Sequence, residues 1–407
     1  MSNGTCIIIG ASHAASQLGP DLRKKGWQGR ILIITDESVI PYHRPPLSKE
    51  YLSGKKTFEE ILIKKPSLYE KNEIEFLLDT RVTAINREGK TITLENEETI
   101  AYDKLALTTG ARVRHIPVPG ADLDGVHYLR DADDVEQIIP LAQAGKKAVI
   151  IGGGYIGLET AAVLQTIGMQ VTVIEMMERV LERVTTAEVS AFYQRIHTEQ
   201  GVEIVTGASV SKINGDKSVE SVSVKNGDNF SADLVIVGIG VIPNTELAEA
   251  AGLEVSNGIV VDEYCRTNDH DIVAAGDCTW HYNPFYDNHI RLESVQNALD
   301  QARVAAATLN GDLKPYDTLP WFWSDQYDLK LQMQGLSAGY DEVIIRGDID
   351  NSRKIAVFYL KEGRILSVDA VNSAPEFMVG KKLILAKTMV DKEKLADAEV
   401  SIKELLR

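Results

Sequence analysis

Short apolar runs alternate with stretches whose apolar positions fall three and four residues apart, from the first residues of the chain onward. Residues 5–9 (TCIII) read as a buried strand, the segment after Ser12 as a helix, and residues 30–35 (RILIIT) as a second strand. That alternation predicts a doubly wound parallel sheet. Strand-rich sequence with turn residues follows (EIEFLL, TAIN, KTITLE) and reads as an antiparallel excursion before KLALTTGA at 104–111. A second strand–helix–strand pattern starts at Lys147. VIIGGG supplies a strand and turn, YIGLETAAVLQTIG a helix with Gly168 just past its end, and QVTVIE the next strand. This pattern closes at DLVIVGIGVIPN, residues 233–244, after which GIVVDEYCRT and DIVAAGD read as completing the first domain. From about Asp317 the rhythm changes to short strands (KLQMQG, EVIIRGD, KIAVFYL, ILSVDAV) followed by helical stretches.

The expected fold is therefore α/β, with two Rossmann-like dinucleotide-binding domains and a C-terminal α+β domain. The expected boundaries are 1–113 with 244–316 for the first domain, 114–243 for the second, inserted one, and 317–407 for the third.

Composition narrows the chemistry. Lys and Arg number 43 against 59 Asp and Glu, a formal charge of −16, which argues against nucleic acid as a partner. No apolar run approaches the roughly 18–20 residues needed to span a bilayer. The patch Cys6–Ile9 is better explained as a strand than as a signal peptide, so the expectation is a cytoplasmic protein with no membrane partner. Cys6, Cys265 and Cys278 are widely spaced, so there is no redox pair, and four thiolates for an iron–sulfur cluster are not available. Cys6 is expected to pack inertly in its strand. Cys278 and His281 make half of a zinc site with no matching half, so no metal is expected. A redox centre in this chain must be a bound organic cofactor.

Two glycine-rich turns supply the place for one. In the pattern G-x-G-x-x-G the first glycine makes a tight turn, the second lets backbone approach a pyrophosphate, and the third lets helix pack on strand. Gly152, Gly154 and Gly157 fit it between a strand and a helix, and Glu175 closes the next strand where it would hold adenosine ribose hydroxyls. Met176 and Met177 offer no arginine for a 2′-phosphate, which favours NADH over NADPH. The N-terminal turn is degenerate: Gly10 keeps its place, while Ser12 and Ala15 stand where glycines would be, around His13 and Ala14. Asp36 takes the ribose position. Gly19-Pro20 falls where the helix should continue, and proline there removes a backbone hydrogen bond. Gly276-Asp277 ends an apolar strand and would place a carboxylate on the ribityl hydroxyls of a flavin. Two bound dinucleotides point to hydride transfer between them.

Seven segments in this order resemble the FAD-dependent, NADH-using ferredoxin reductases of oxygenase systems, which are glutathione-reductase-like flavoproteins. They are VIPYHRPPLSKEYLSGK (39–55), GGGYIGLE (152–159), RVLERVTTAEVSAFY (179–193), GIGVIPN (238–244), Gly-Asp at 276–277, RLESVQNALDQAR (291–303) and PWFWSDQYD (320–328). The resemblance spans nearly the whole chain. It implies FAD contacts at Gly10, Ser12, His13, Ala14, Ala15, Asp36, Lys49, Val82, Arg130, Gly276, Asp277, Ser294 and Val295, with Arg44, Thr109, Gly110, Glu293 and Trp323 as neighbours. NADH would lie on Gly152, Gly154, Tyr155, Ile156, Gly157, Glu159, Glu175, Gly238, Ile239 and Gly240. The departures are Ser12, Ala15 and Thr108, the last standing where the family usually has alanine in an ATG segment.

The implied activity is that of a ferredoxin–NAD(+) reductase. NADH gives a hydride to FAD, and single electrons pass to a 2Fe–2S ferredoxin that feeds a cytochrome P-450 monooxygenase. The alternatives are the reductase of a Rieske aromatic-ring dioxygenase, or a flavoprotein like apoptosis-inducing factor with a scaffold role. Lys49 and Glu159 are expected to pair near the flavin and tune hydride transfer, against the reading of an ordinary ion pair. Trp323 is expected at the flavin and Trp321 is divided between flavin and core. Tyr155 is either a lid or a packing residue, and His13 either donates to a phosphate or faces solvent. Arg291, Arg303, Arg353, Lys354, Lys381 and Lys382 would form a basic patch for the ferredoxin. A monomer or weak dimer is expected. Disulfide reductases are excluded by the missing cysteine pair, and cysteine-dependent oxidases by the lack of a cysteine near Tyr42 or His43. The charged C-terminal sequence disfavours a membrane quinone reductase.

Overall fold

In the computed structural model, which describes residues 4–406, the apolar runs become strands buried on both faces. By its contacts the chain divides into two units. One comprises Met1–His43, Phe58–Arg112 and Val241–Thr318; the other comprises Arg44–Thr57, Val113–Gly240 and Leu319–Arg407.

The first unit is organised around a five-stranded parallel sheet in the order Ile272–Ala274, Lys104–Leu107, Cys6–Ile9, Ile31–Ile34, Ile74–Leu77. Successive side chains on a strand point to opposite faces, and the two cores follow that rule. Cys6, Ile8, Ile31 and Ile33 pack with Leu18, Leu22, Ala298, Ala302 and Ala305, from the helices His13–Lys24 and Val295–Leu309. Ile7, Ile9, Leu32 and Ile34 pack on the other face with Ile85, Ile92 and Ile259. Val82–Asn86, Thr91–Leu94 and Thr99–Ala101 form the expected antiparallel excursion. The EIEFLL segment does not belong to it. Ile74–Leu77 pairs in parallel with Ile31–Ile34, because the helices Phe58–Ile61 and Pro66–Lys71 provide a crossover that brings the chain back in the same direction. Pro20 lies inside the first helix and does not end it.

The second unit repeats the architecture. Its parallel sheet runs Glu203–Val205, Gln170–Ile174, Lys147–Ile151, Leu234–Val237, Val126–Tyr128. The helix Tyr155–Ile167 stops where Gly168 takes a left-handed φ of 101°. A separate antiparallel sheet has the order Trp321–Gln326, Leu329–Gly335, Arg364–Val371, Ile355–Lys361, Glu342–Arg346, and the helix Ala374–Ala386 packs on it. Its first strand, WFWSDQ, has no clean alternation in its apolar residues and was not among the expected strands. No helix among the described residues is long and apolar enough to cross a membrane.

Candidate functional site: two dinucleotide turns and a buried ion pair

The two glycine-rich turns share one backbone solution. Gly10 has φ +100° and its N–H donates to Ile34 O at 2.8 Å; Gly152 has φ +113° and its N–H donates to Ile174 O at 2.8 Å. A Cβ at Gly10 would drive into the Thr108 carbonyl oxygen, and one at Gly152 into the Gly238 carbonyl oxygen. Both positions therefore need glycine for conformation and for space. A Cβ on Gly157 would strike the Gly152 carbonyl, so the third glycine is what lets helix meet turn, whereas the space beside Gly154 is open.

The helices that follow both turns begin without side-chain caps, at Ser12 and at Gly154. Asp131, Thr186 and Ser294, by contrast, cap their helices with side-chain oxygens. A helix start without a side-chain cap favours an anion. Open space at Gly154, left-handed glycines backed by carbonyls, and uncapped helix starts all fit a dinucleotide pyrophosphate.

Around the first turn, Thr108 is built into the structure it departs from. Its hydroxyl lies 3.0 Å from both Ile9 O and Gly10 O. Ala14 is close enough that a Cβ at Gly276 would touch it, so the turn adjoins Gly276-Asp277. The Gly276 N–H donates to Gln301 Oε1 at 2.8 Å. Asp36 is exposed at the end of its strand. Thr109 and Asn244 exchange hydrogen bonds of 2.7 and 2.8 Å, next to Gly110. Val82 opens an antiparallel strand and Val295 opens its helix. Ser294 spends its hydroxyl on capping, and Glu293 pairs with Arg291. His13 does not face solvent: it is buried, with Nε2 3.3 Å from His43 Nδ1.

Around the second turn, Glu175 accepts from Gly153 N–H at 2.6 Å and from Met177 N–H at 2.8 Å, which seats its carboxylate beside the glycines. Ile156 and Gly240 are exposed and Gly238 and Ile239 half-buried. Tyr155 packs against Phe322, ring centroids 5.3 Å apart, and its hydroxyl donates to Met333 Sδ at 3.0 Å. Burial pushes that phenol well above its ordinary range.

Lys49 and Glu159, 110 positions apart, meet as expected, Nζ to Oε2 at 2.6 Å, with side chains 11% and 5% exposed. The 3-10 turn Pro45–Ser48 ends at Lys49 and presents both Ser48 and Lys49 to the carboxylate. Ser48 Oγ donates to Oε2 and Ser324 Oγ to Oε1, each at 2.6 Å. Neither serine was among the expected site residues, although both lie in quoted segments. Three polar partners offset the desolvation of so deep a charge. Arg44 Nη1 reaches Arg130 O at 3.0 Å, joining two of the expected residues. Trp321 and Trp323 lie 5.3 Å apart, and Trp321 also meets Phe377 edge-on at 6.1 Å.

The three cysteines form no pair with one another. All three are buried and free, and burial raises each thiol, Cys6 to about 12. Cys278 Sγ faces the Leu107 and Ala275 carbonyls, and His281 is bonded to Gln301. Of the six residues of the expected basic patch, three are ion-paired: Arg291 with Glu293, Arg303 with Asp300 and Arg353 with Asp328. Lys354, Lys381 and Lys382 are exposed.

With this architecture, the chain belongs to the pyridine nucleotide-disulphide oxidoreductase family, whose pattern it matches over residues 4–302; residues 321–406 match the reductase C-terminal family. It is an oxidoreductase of that family without the cysteine pair of the family's name. It is 44% identical over 411 residues to putidaredoxin reductase CamA of Pseudomonas putida, covering 100% of this chain and 97% of that protein. It is 40% identical over 408 residues to the 5,5'-dehydrodivanillate O-demethylase ferredoxin reductase subunit of a Sphingobium species, covering 100% and 99%. The solved covalent putidaredoxin reductase–putidaredoxin complex superposes with a TM-score of 0.96 at 44% identity, covering 100% of this chain and 99% of that one.

Proposed function

We propose that the protein is a FAD-dependent NADH:ferredoxin reductase, passing electrons to a 2Fe–2S ferredoxin that feeds an oxygenase, a cytochrome P-450 monooxygenase in the first instance. The observation that supports this most directly is the matched geometry of Gly10 and Gly152, two backbone-lined pyrophosphate cradles in a chain with no thiol redox pair. The full-length likeness to putidaredoxin reductase supports the ferredoxin as acceptor.

When bound, FAD supplies a carrier that is loaded with a hydride and unloaded by single electrons. The chain's residues do the rest. The Gly10 turn and the helix start at His13 hold the FAD pyrophosphate, with Asp36 on the adenosine ribose and Asp277 on the ribityl chain. The Gly152–Gly157 turn holds that of NADH, and Glu175 takes the ribose hydroxyls. A carboxylate there repels a 2′-phosphate, and Met176 and Met177 offer it no cation. Lys49, fixed by Glu159, sets the electrostatics of the hydride-accepting site. Overall, NADH and two oxidised ferredoxins give NAD+, one proton and two reduced ferredoxins. Lys354, Lys381 and Lys382 provide positive charge for an acidic ferredoxin on an otherwise acidic protein. The place of action is the cytoplasm.

Purified protein tests the reading directly. It should be yellow, bleach within seconds of adding NADH, and reduce cytochrome c only when ferredoxin is present. Colourless protein that FAD cannot reconstitute would overturn it. Bleaching without ferredoxin-dependent cytochrome reduction would favour the scaffold reading. An oxygenase-specific coupled assay, with P-450 and Rieske systems side by side, separates the two oxygenase classes.

A further inference from the structure

A line of hydrogen bonds runs through the interior of the second unit and ends at Glu159. Ser324 Oγ lies 2.6 Å from Glu159 Oε1, Gln326 Nε2 3.2 Å from Ser324 Oγ, His197 Nε2 2.8 Å from Gln326 Oε1, and Tyr327 OH 3.3 Å from His197 Nδ1. Ser324, Gln326 and His197 are at most 1% exposed. Ser324 and Gln326 stand two apart on the strand Trp321–Gln326 and so share its face, while Trp323 and Asp325 point the other way.

The chemistry of the groups fixes the direction of every proton. An ionised carboxylate only accepts, so the Ser324 hydrogen points at Glu159. Its oxygen then takes an amide N–H from Gln326, and the amide oxygen faces His197 Nε2, which must carry the ring proton. Nδ1 remains as an acceptor for the Tyr327 hydroxyl. Burial lowers the His197 pKa, in keeping with the neutral ring this arrangement requires. All four dipoles thus point at one carboxylate, and such aligned bonds reinforce one another. The line is no proton conduit, because the Gln326 amide cannot pass a proton on without changing tautomer.

We propose that Ser324, Gln326 and His197 are positioning residues that hold the Glu159 carboxylate in one rotamer, and through it keep Lys49 Nζ in one place. This rests on the reading that the Lys49–Glu159 pair governs hydride transfer. It also gives the strand Trp321–Gln326 a second task beside presenting Trp323. The other ionisable groups around Glu159 are Lys49 from the 3-10 turn, Tyr155 from its own helix, and Tyr193 from Ala187–Glu199. One step further out on the C-terminal sheet, Asp325 acts on Lys49, and Asp369 on Tyr155 and Tyr193.

The test uses FAD-loaded full-length protein. Stopped-flow bleaching by NADH is followed from about pH 5 to about pH 9 in wild type, Ser324→Ala, Ser324→Thr and Glu159→Gln, alongside 15N NMR of selectively labelled histidines assigned with His197→Gln. Loss of the Ser324 donor should slow bleaching about tenfold and change its pH profile, and threonine should restore both. The His197 ring should be neutral with its proton on Nε2. An unchanged Ser324→Ala profile beside an altered Glu159→Gln overturns the chain alone, as does a charged or Nδ1-protonated His197. A Glu159→Gln variant that behaves as wild type removes the reading of the ion pair on which the chain depends.

Discussion

The ammonium of Lys64 sits 2.5 Å from the Ser16 carbonyl oxygen, the one helical acceptor that Pro20 leaves without its donor. A proline in a helix interior removes the bond to the residue four before it, and the orphaned carbonyl must find another partner if it is buried. Ser16 is fully buried, and Lys64 supplies that partner, along with a 3.3 Å contact to the Ser16 hydroxyl. Its own pKa is lowered, chiefly by burial. The two substitutions Lys64→Met and Pro20→Ala should therefore couple. Lys64→Met alone is expected to destabilise by about 1–3 kcal/mol, the cost of leaving a buried acceptor unpaired. With alanine at position 20 restoring the helical N–H, the loss should shrink by about 1 kcal/mol or more. Denaturant unfolding of the four proteins decides it; additive effects would show that the Lys64 bond does not replace the missing one.

The matched turns should fail separately. Alanine at Gly10 or at Gly152 must adopt a left-handed φ and push a Cβ into a backbone carbonyl, a strain on the order of 1–3 kcal/mol before any ligand contact is lost. Gly10→Ala is expected to lose FAD on gel filtration. Gly152→Ala should stay yellow but bind NADH at least about tenfold more weakly, which is about 1.4 kcal/mol. Equal loss of colour in both would contradict the division of labour between the turns.

Lys49→Met should slow flavin bleaching by NADH by roughly 10- to 100-fold, the scale on which a preorganised charge acts at a reacting centre. It also leaves Glu159 buried without its cation, so a lower melting temperature is expected beside the kinetic change. A slow variant with an unchanged flavin reduction potential would point to geometry and not to charge.

Asp369 gives the C-terminal sheet a pH dependence. Tyr359 OH at 2.6 Å and Thr185 Oγ1 at 3.0 Å donate to its Oδ2, yet burial dominates and raises its pKa from 3.8 to about 6. A carboxyl with a raised folded pKa is protonated in the native state while already ionised in the unfolded one. Its contribution to stability therefore falls as pH rises from about 4 to about 6, by at most about 3 kcal/mol, and is flat above. Asp369→Asn cannot titrate, so its unfolding free energy should lack that slope. Parallel pH profiles for the two proteins would exclude it.

Lys381 and Lys382 lie exposed on the helix Ala374–Ala386, without ion pairs among the described residues. Charge reversal of both to glutamate should raise KM for an acidic ferredoxin by roughly tenfold and flatten the dependence on ionic strength. Reduction of ferricyanide by NADH should not change. If KM for ferredoxin is unaffected, the docking charge lies elsewhere on the protein.

Much of this was legible in the linear chain because the features concerned are local. TCIII, RILIIT and QVTVIE are runs that only a strand covered on both faces would hide. Gly152, Gly157 and Gly168 sit where a backbone carbonyl or a left-handed φ leaves no room for a side chain. EIEFLL departs from the antiparallel expectation because alternation reports which faces are buried and is silent on strand direction. Direction came from the helices that precede it. The solvent-facing alternative for His13 fails because its partner, His43, lies 30 positions away and only the fold brings the two together.

The parallel-sheet fold, the two glycine-rich turns and the lack of a spaced cysteine pair could all be read along the chain, being consequences of short-range sterics and of which residue types are present. Tertiary structure decided what burial does to the polar groups. It gave Ser16 the lysine that makes a helical proline tolerable, and it set Ser324, 165 positions from Glu159, against that carboxylate. Hydrogen bonds reach only about 3 Å, so such partners are chosen by how distant segments pack, and no local pattern announces them.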